Sequence, residues 1–184
     1  MTSFISKLSA ICVENNIINE ADVPWLEYGI ETRITAIIGL VPFTILAIKL
    51  SDIPTTLAFL ATFNFLRKRV GGYHANSVLG CMLLSLFLEV LFLGAFLPKL
   101  NMVVFFISNG VSLAIIYFMA PYVHPNMNFS KDEIYALHNS AKRRVMQITV
   151  VTLACYFFNF SSIAKGLTAG TAMTAFMLCL AYFL

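Results

Sequence analysis

Residues 67–81 read Arg-Lys-Arg-Val-Gly-Gly-Tyr-His-Ala-Asn-Ser-Val-Leu-Gly-Cys, and long apolar runs lie on both sides of them. A basic triplet, a double glycine, a histidine and a cysteine thus share 15 residues of a chain that is 59% hydrophobic and only 11% charged. The mean hydropathy is +0.83. A soluble domain carries roughly a quarter charged residues, so this composition belongs to an integral membrane protein. The polar island is then a loop at a membrane surface, and the runs beside it are spans.

Working outward, the run 78–97 is a clear span of 20 residues, with Cys81 near its start and Glu89 at mid-depth. On the other side, 53–66 supplies only 14 residues. That is about 21 Å of helix, against a hydrocarbon core of roughly 30 Å. This run either spans with help from snorkelling arginines or is re-entrant. Further apolar runs cover 34–50, with Pro42 as a candidate kink, and 102–120. Residues 121–144 read as a polar connection whose second half starts a capped helix at Ser130-Lys131-Asp132-Glu133. Runs 145–164 and 166–184 read as a closing hairpin around Lys165, with Gly166 and Gly170 allowing close helix packing. Residues 4–18 place Phe4, Ile5, Leu8, Ile11, Cys12 and Ile18 at helical spacing. They suggest an amphipathic helix, lying in the interface or packed on the protein's own surface. Asp22 and Pro24 then mark a new helix start, with Trp25 and Tyr28 as interfacial anchors.

The expected fold is therefore an all-α polytopic membrane protein. It has about six transmembrane helices and an N-terminal amphipathic interfacial helix, in one domain over residues 1–184. No basic, apolar signal peptide is visible at the start, so insertion is expected to use the internal spans. Orientation follows from Lys and Arg. With six spans, one side receives Lys7, Arg33, Arg67, Lys68, Arg69, Lys131, Lys142, Arg143 and Arg144, nine residues, and the other receives three, Lys49, Lys99 and Lys165. The nine-residue side, carrying residues 67–77 and 121–144, is expected to be cytoplasmic.

The island also carries candidate chemistry. A thiol is a weak nucleophile at neutral pH unless a base or positive charge stabilises its thiolate. His74 offers the base for Cys81, and Arg67, Lys68 and Arg69 offer positive field. The start of the span adds helix-dipole potential. Seven residues on one continuous helix would separate His74 from Cys81 by about 10.5 Å, beyond hydrogen-bond reach. A bent connection through Gly71-Gly72 and Asn76-Ser77 is therefore required. Each feature also has a plainer reading. A cysteine in a span is usually inert, which is how Cys12, Cys155 and Cys179 are read; none of the four cysteines has disulfide or metal spacing. His124 and His138 read as solvated, and Ser77 is a rival nucleophile without a motif. Glu89 reads first as a hydrogen bond to a neighbouring helix. Its functional alternative is a small transporter relaying protons through Glu89 and His74, without the broken-helix pairs typical of such folds. Metal ligation by His74 and Cys81 lacks partner ligands.

Arg67, Gly71-Gly72, His74-Ala75 and Cys81 resemble the signature of the accessory gene regulator B family, membrane endopeptidases that process quorum-sensing propeptides in Gram-positive bacteria. Tyr28-Gly29-Ile30-Glu31, Ala120-Pro121 and Pro125-Asn126 add to the resemblance, which extends over most of the chain; Met127-Asn128-Phe129 departs from the Lys-Pro often found there. The resemblance implies a catalytic pair of His74 and Cys81, with Arg67 and Gly72 important to activity. It implies an AgrD-like propeptide as substrate, cut through an acyl-enzyme thioester that leads to a thiolactone, with no cofactor, no metal and no nucleic acid. It also implies a homodimer in the bacterial cell membrane among lipid. The clusters Arg67, Lys68, Arg69 and Lys142, Arg143, Arg144 then have two readings: a basic surface for the acidic propeptide tail, or charges that merely set orientation.

Overall fold

A computed structural model describes residues 2–15, 17–19, 22–72, 78–122 and 130–183, with the backbone alone at 2–4, 25, 28, 29, 31–36 and 78. Among these residues every element is helical: α1 (Thr2–Glu14), α2 (Val23–Leu50), α3 (Ile53–Val70), α4 (Val78–Glu89), α5 (Met102–Met119), α6 (Lys131–Phe157) and α7 (Ser161–Phe183). After Glu89 the chain continues as a π-helical segment, Val90–Phe96, and a 3-10 turn, Leu97–Lys99. The chain divides into two compact units, Met1–Pro42 and Phe43–Leu184.

In the first unit, α1 turns Ile5 and Ser9 inward, and Ser9 donates to Glu27 Oε1 at 2.6 Å. Leu8 and Ile11 stay exposed. The stripe expected from sequence is therefore split: one edge packs on the protein and the other is left for an apolar surface. Ile18 falls beyond the end of the helix. α2 runs on unbroken through Pro42.

In the second unit, three helical stretches are long and apolar enough to cross a bilayer: Leu79–Lys99, Met102–Met119 and Ser161–Phe183. Ile37–Leu50 is a shorter apolar helix. The expected six spans are thus not all supported by length and apolarity. Exposed Leu83, Phe87, Ile107, Val111 and Phe118 suit a lipid-facing surface.

Three sequence expectations change in detail. The 53–66 run is part of a longer element: α3 is one continuous helix of 18 residues, about 27 Å, and it carries Arg67, Lys68 and Arg69 in its last turn rather than in a loop. Residues 131–144 are the first half of α6, not a connection; Ser130 forms the expected capping box with Glu133, which holds the Glu133 carboxyl below its ordinary pKa. The closing turn lies at 158–160, where Asn159 adopts φ 61°, and Lys165 belongs to α7. Asn tolerates that left-handed conformation, whereas charge alone had pointed to Lys165.

The main packing is α3 against α7, which run parallel. A Cβ at position 166 would collide with the Thr55 carbonyl oxygen, and one at 170 would sit 2.9 Å from the Phe59 carbonyl oxygen and 3.0 Å from Thr62 Cβ. Glycine at both positions lets the two backbones touch, the way helices associate in lipid. Around this contact lie Phe43, Phe59, Phe63, Leu88, Leu93, Met173 and Met177 in one core cluster. A second cluster, with Leu66, Val70, Ile116, Ala141, Val145 and Leu178, fixes the other end of α3. Replacing Gly170 by Ala should cost about 1–3 kcal/mol, and Gly166 to Ala more. Gly110 to Ala, where nothing lies within 4 Å, should be neutral or stabilising by up to about 1 kcal/mol. Denaturant unfolding in mixed micelles measures all three; equal losses would contradict the packing.

Candidate active site

The end of α3 is built around its double glycine. Gly71 and Gly72 have φ of 73° and 131°, a region other residues rarely adopt. Gly71 lies against the Tyr122 carbonyl oxygen, and Tyr122 N donates to Val70 O at 3.0 Å. Gly72 lies under the Arg67 guanidinium, which a Cβ there would displace, with the Met177 carbonyl oxygen 3.3 Å from that same Cβ position. Arg67 Nη1 donates to Gly71 O at 2.7 Å, so the arginine caps the carbonyl end of its own helix. Local sequence thus dictates local form: only glycine fits beside Tyr122 and beneath Arg67.

Cys81 stands in the first turn of α4, half-buried, with a free thiol. It lies within electrostatic reach of Arg67, whose guanidinium loses hydration on burial and gains from the Cys81 sulfur. Arg67 and Gly72 are therefore in contact, with Cys81 in the same electrostatic neighbourhood. His74 and Ser77 lie outside the described residues, as do His124, Pro125 and Asn126.

The other predicted basic residues separate into two groups. Arg144 donates through Nη1 to Phe65 O and places its guanidinium 4.4 Å from the Phe65 ring centroid. Lys142 sits 4.4 Å from the Tyr117 ring centroid. Both tie α6 to its neighbours. Lys68, Arg69 and Arg143 are exposed and have no hydrogen bond or ion pair among the described residues. His138 is not simply solvated: it is half-buried, and its Nδ1 bonds Ala120 O.

Glu89 is fully buried, and neither carboxylate oxygen has a hydrogen-bond partner among the described residues. The interhelical bond expected from sequence is not made among the described residues. The other cysteines, Cys12, Cys155 and Cys179, are half-buried free thiols, and no group of three potential metal ligands occurs among the described residues. Tyr122 and Met177 were missed in the sequence. They act through backbone atoms, which leave no side-chain signature, although Ala120-Pro121 marks the segment.

The Arg67–Cys81 pairing has a direct consequence for thiol reactivity. With Cys12, Cys155 and Cys179 changed to Ala, Arg67→Gln and Gly72→Ala should each slow alkylation of Cys81 by a water-soluble haloacetamide. Unchanged rates in both variants would show that the guanidinium does not act on the sulfur.

Neither the curated proteins nor the solved structures gave a significant match. A family model described as accessory gene regulator B matches residues 4–178, which include α3, the double glycine and Cys81. With nearly its whole length matched, the chain belongs to the accessory gene regulator B family.

Proposed function

We propose that this protein is a membrane cysteine endopeptidase that removes the C-terminal tail of an autoinducer propeptide and leaves a thioester for ring closure. Membership of the family implies involvement in accessory gene regulator peptide processing. The observation that carries the finer reading is the Arg67 guanidinium, held over Gly72 and within electrostatic reach of Cys81. A positive charge beside a half-buried sulfur is the setting a thiolate nucleophile requires.

The Cys81 thiolate attacks a peptide carbonyl of the propeptide, and the C–N bond breaks. His74 supplies the proton to the leaving amine, and the acyl group remains on sulfur as a thioester. A thiol within the propeptide then gives its proton to His74, attacks that thioester, forms the thiolactone and returns the Cys81 thiolate. Exchange of one thioester for another is close to thermoneutral, whereas water would discharge the intermediate irreversibly. A site at the membrane edge restricts that water. The working unit is a homodimer, as the family resemblance implies.

In the second unit, Arg67, Lys68, Arg69, Lys131, Lys142, Arg143 and Arg144 belong to the Cys81 half of the bundle, and Lys49, Lys99 and Lys165 to the opposite end. This asymmetry supports a cytoplasmic site. Lys68, Arg69 and Arg143, exposed and without side-chain partners among the described residues, are free to hold an acidic propeptide tail. Lys142 and Arg144 fasten α6 to its neighbours, and Arg67 caps its own helix while lending its charge to Cys81. The transporter alternative gains nothing, because no polar partner among the described residues leads away from Glu89.

Two experiments test this. Co-expressed with its propeptide, Cys81→Ala and Cys81→Ser should abolish the shortened product while a chelator leaves it intact; cleavage surviving without the sulfur ends the reading, and loss in Glu89→Gln with Cys81→Ala active would favour transport. Separately, Arg143→Glu should lower processing about 3- to 10-fold at low salt, with the loss shrinking as salt rises and stability unchanged. Arg144→Glu should lower stability itself. If the two variants behave alike, the division between tail-binding and structural cations is wrong.

A further inference from the structure

At the end of the bundle opposite Cys81, α5 and α7 begin and α6 ends. Between them lies a cleft of about 90 Å3 lined by Asn101, Phe105, Tyr156, Ser161 and Lys165, among others. One water needs about 10–15 Å3, so the cleft admits a larger group. Its polar lining is rich in donors. Lys165 has no ion pair or hydrogen bond among the described residues, and neither the Tyr156 nor the Ser161 hydroxyl has a hydrogen-bond partner there. Asn101 uses Oδ1 to cap Val104 N at 2.9 Å, which leaves its amide NH2 as a donor.

No carboxylate lines this cleft. The nearby Asp52 makes no ion pair among the described residues, and the neighbouring Thr55 and Ser162 side chains hold its carboxyl below its ordinary pKa. Tyr156 is fixed by stacking on Phe105, ring centroids 4.6 Å apart. Met102 in the lining is 64% exposed, and Phe157, Phe158 and Phe160, which flank the lining residues Tyr156 and Ser161 in sequence, are 70%, 74% and 58% exposed. The apolar stretches Leu79–Lys99, Met102–Met119 and Ser161–Phe183 all have an end here, which suits a rim at a bilayer boundary.

We infer that this cleft binds the phosphodiester headgroup of an anionic membrane lipid. Lys165 neutralises the phosphate, and Asn101, Tyr156 and Ser161 donate to its oxygens. The exposed aromatic rim takes the start of the acyl chains, which distinguishes a lipid from a free phosphate ion. The positive amino-terminal ends of α5 and α7 add to the field. The inference is independent of the peptidase chemistry at the other end of the bundle.

Thermal unfolding of the full-length protein in neutral detergent tests this, with phosphatidylglycerol, phosphatidylcholine or inorganic phosphate added at matched concentration. Phosphatidylglycerol should raise Tm by about 2–4 °C more than phosphatidylcholine. That difference should vanish in Lys165→Gln and shrink in Tyr156→Phe, while Lys99→Gln retains it. Should Lys165→Gln not fold, Tyr156→Phe paired with Ser161→Ala carries the test. Equal shifts with both lipids, a preference that survives these substitutions, or a matching shift from inorganic phosphate alone would overturn it.

Discussion

The backbone contact between α3 and α7 is the constraint on which the second unit rests. Lipid tails are as apolar as the side chains they surround, so helices in a membrane gain little from hydrophobic burial and depend on close packing. Gly166 and Gly170 remove the side chains that would hold α7 off the Thr55 and Phe59 carbonyls. The buried hydroxyls of α7 beside this contact are satisfied within the helix, where Thr168, Thr171 and Thr174 donate to carbonyls four residues back at 2.8 Å each, whereas the buried Thr62 hydroxyl of α3 has no partner among the described residues. Asn109 of α5 joins them by donating to Thr168 at 3.0 Å. Because α3 and α7 are parallel, the same contact brings the far end of α7 beneath the double glycine, and so positions the groove that holds Arg67.

The electrostatics of the Cys81 end follow from that placement. A guanidinium is costly to bury unless its donors are used, and Arg67 uses one on the carbonyl at the end of its own helix. Arg144 and Lys142 are stabilised differently, over the Phe65 and Tyr117 rings. A single stretch of positive sequence therefore performs two tasks: side chains directed into the bundle fasten helices, and those directed outward remain available to an acidic partner. Charge count alone does not separate the two tasks, because the separation depends on which helical face each residue occupies.

Much of this was legible in the sequence. The apolar runs located most of the helices, the Ser130–Glu133 spacing announced its cap, and the small residues at 166 and 170 marked a close contact. What misled was treating charge as the boundary of structure. Arg67, Lys68, Arg69 and residues 131–144 are charged yet helical, because an exposed or carbonyl-capping cation costs a helix nothing. Lys165 drew the last turn toward itself, whereas the turn sits at Asn159, the residue able to adopt a positive φ. The neighbours of the double glycine were not legible at all, since Tyr122 and Met177 contribute backbone oxygen atoms at positions remote in sequence.

The central claim is that the sulfur of Cys81 becomes covalently acylated during propeptide processing. Acid-quenching the protein with its propeptide in the first turnovers, followed by peptide mapping by mass spectrometry, measures this directly. The expected result is a hydroxylamine-labile adduct on the fragment containing Cys81, with the mass of the propeptide lacking its C-terminal tail. Product accumulating without that adduct, or the adduct appearing on another residue, would contradict it.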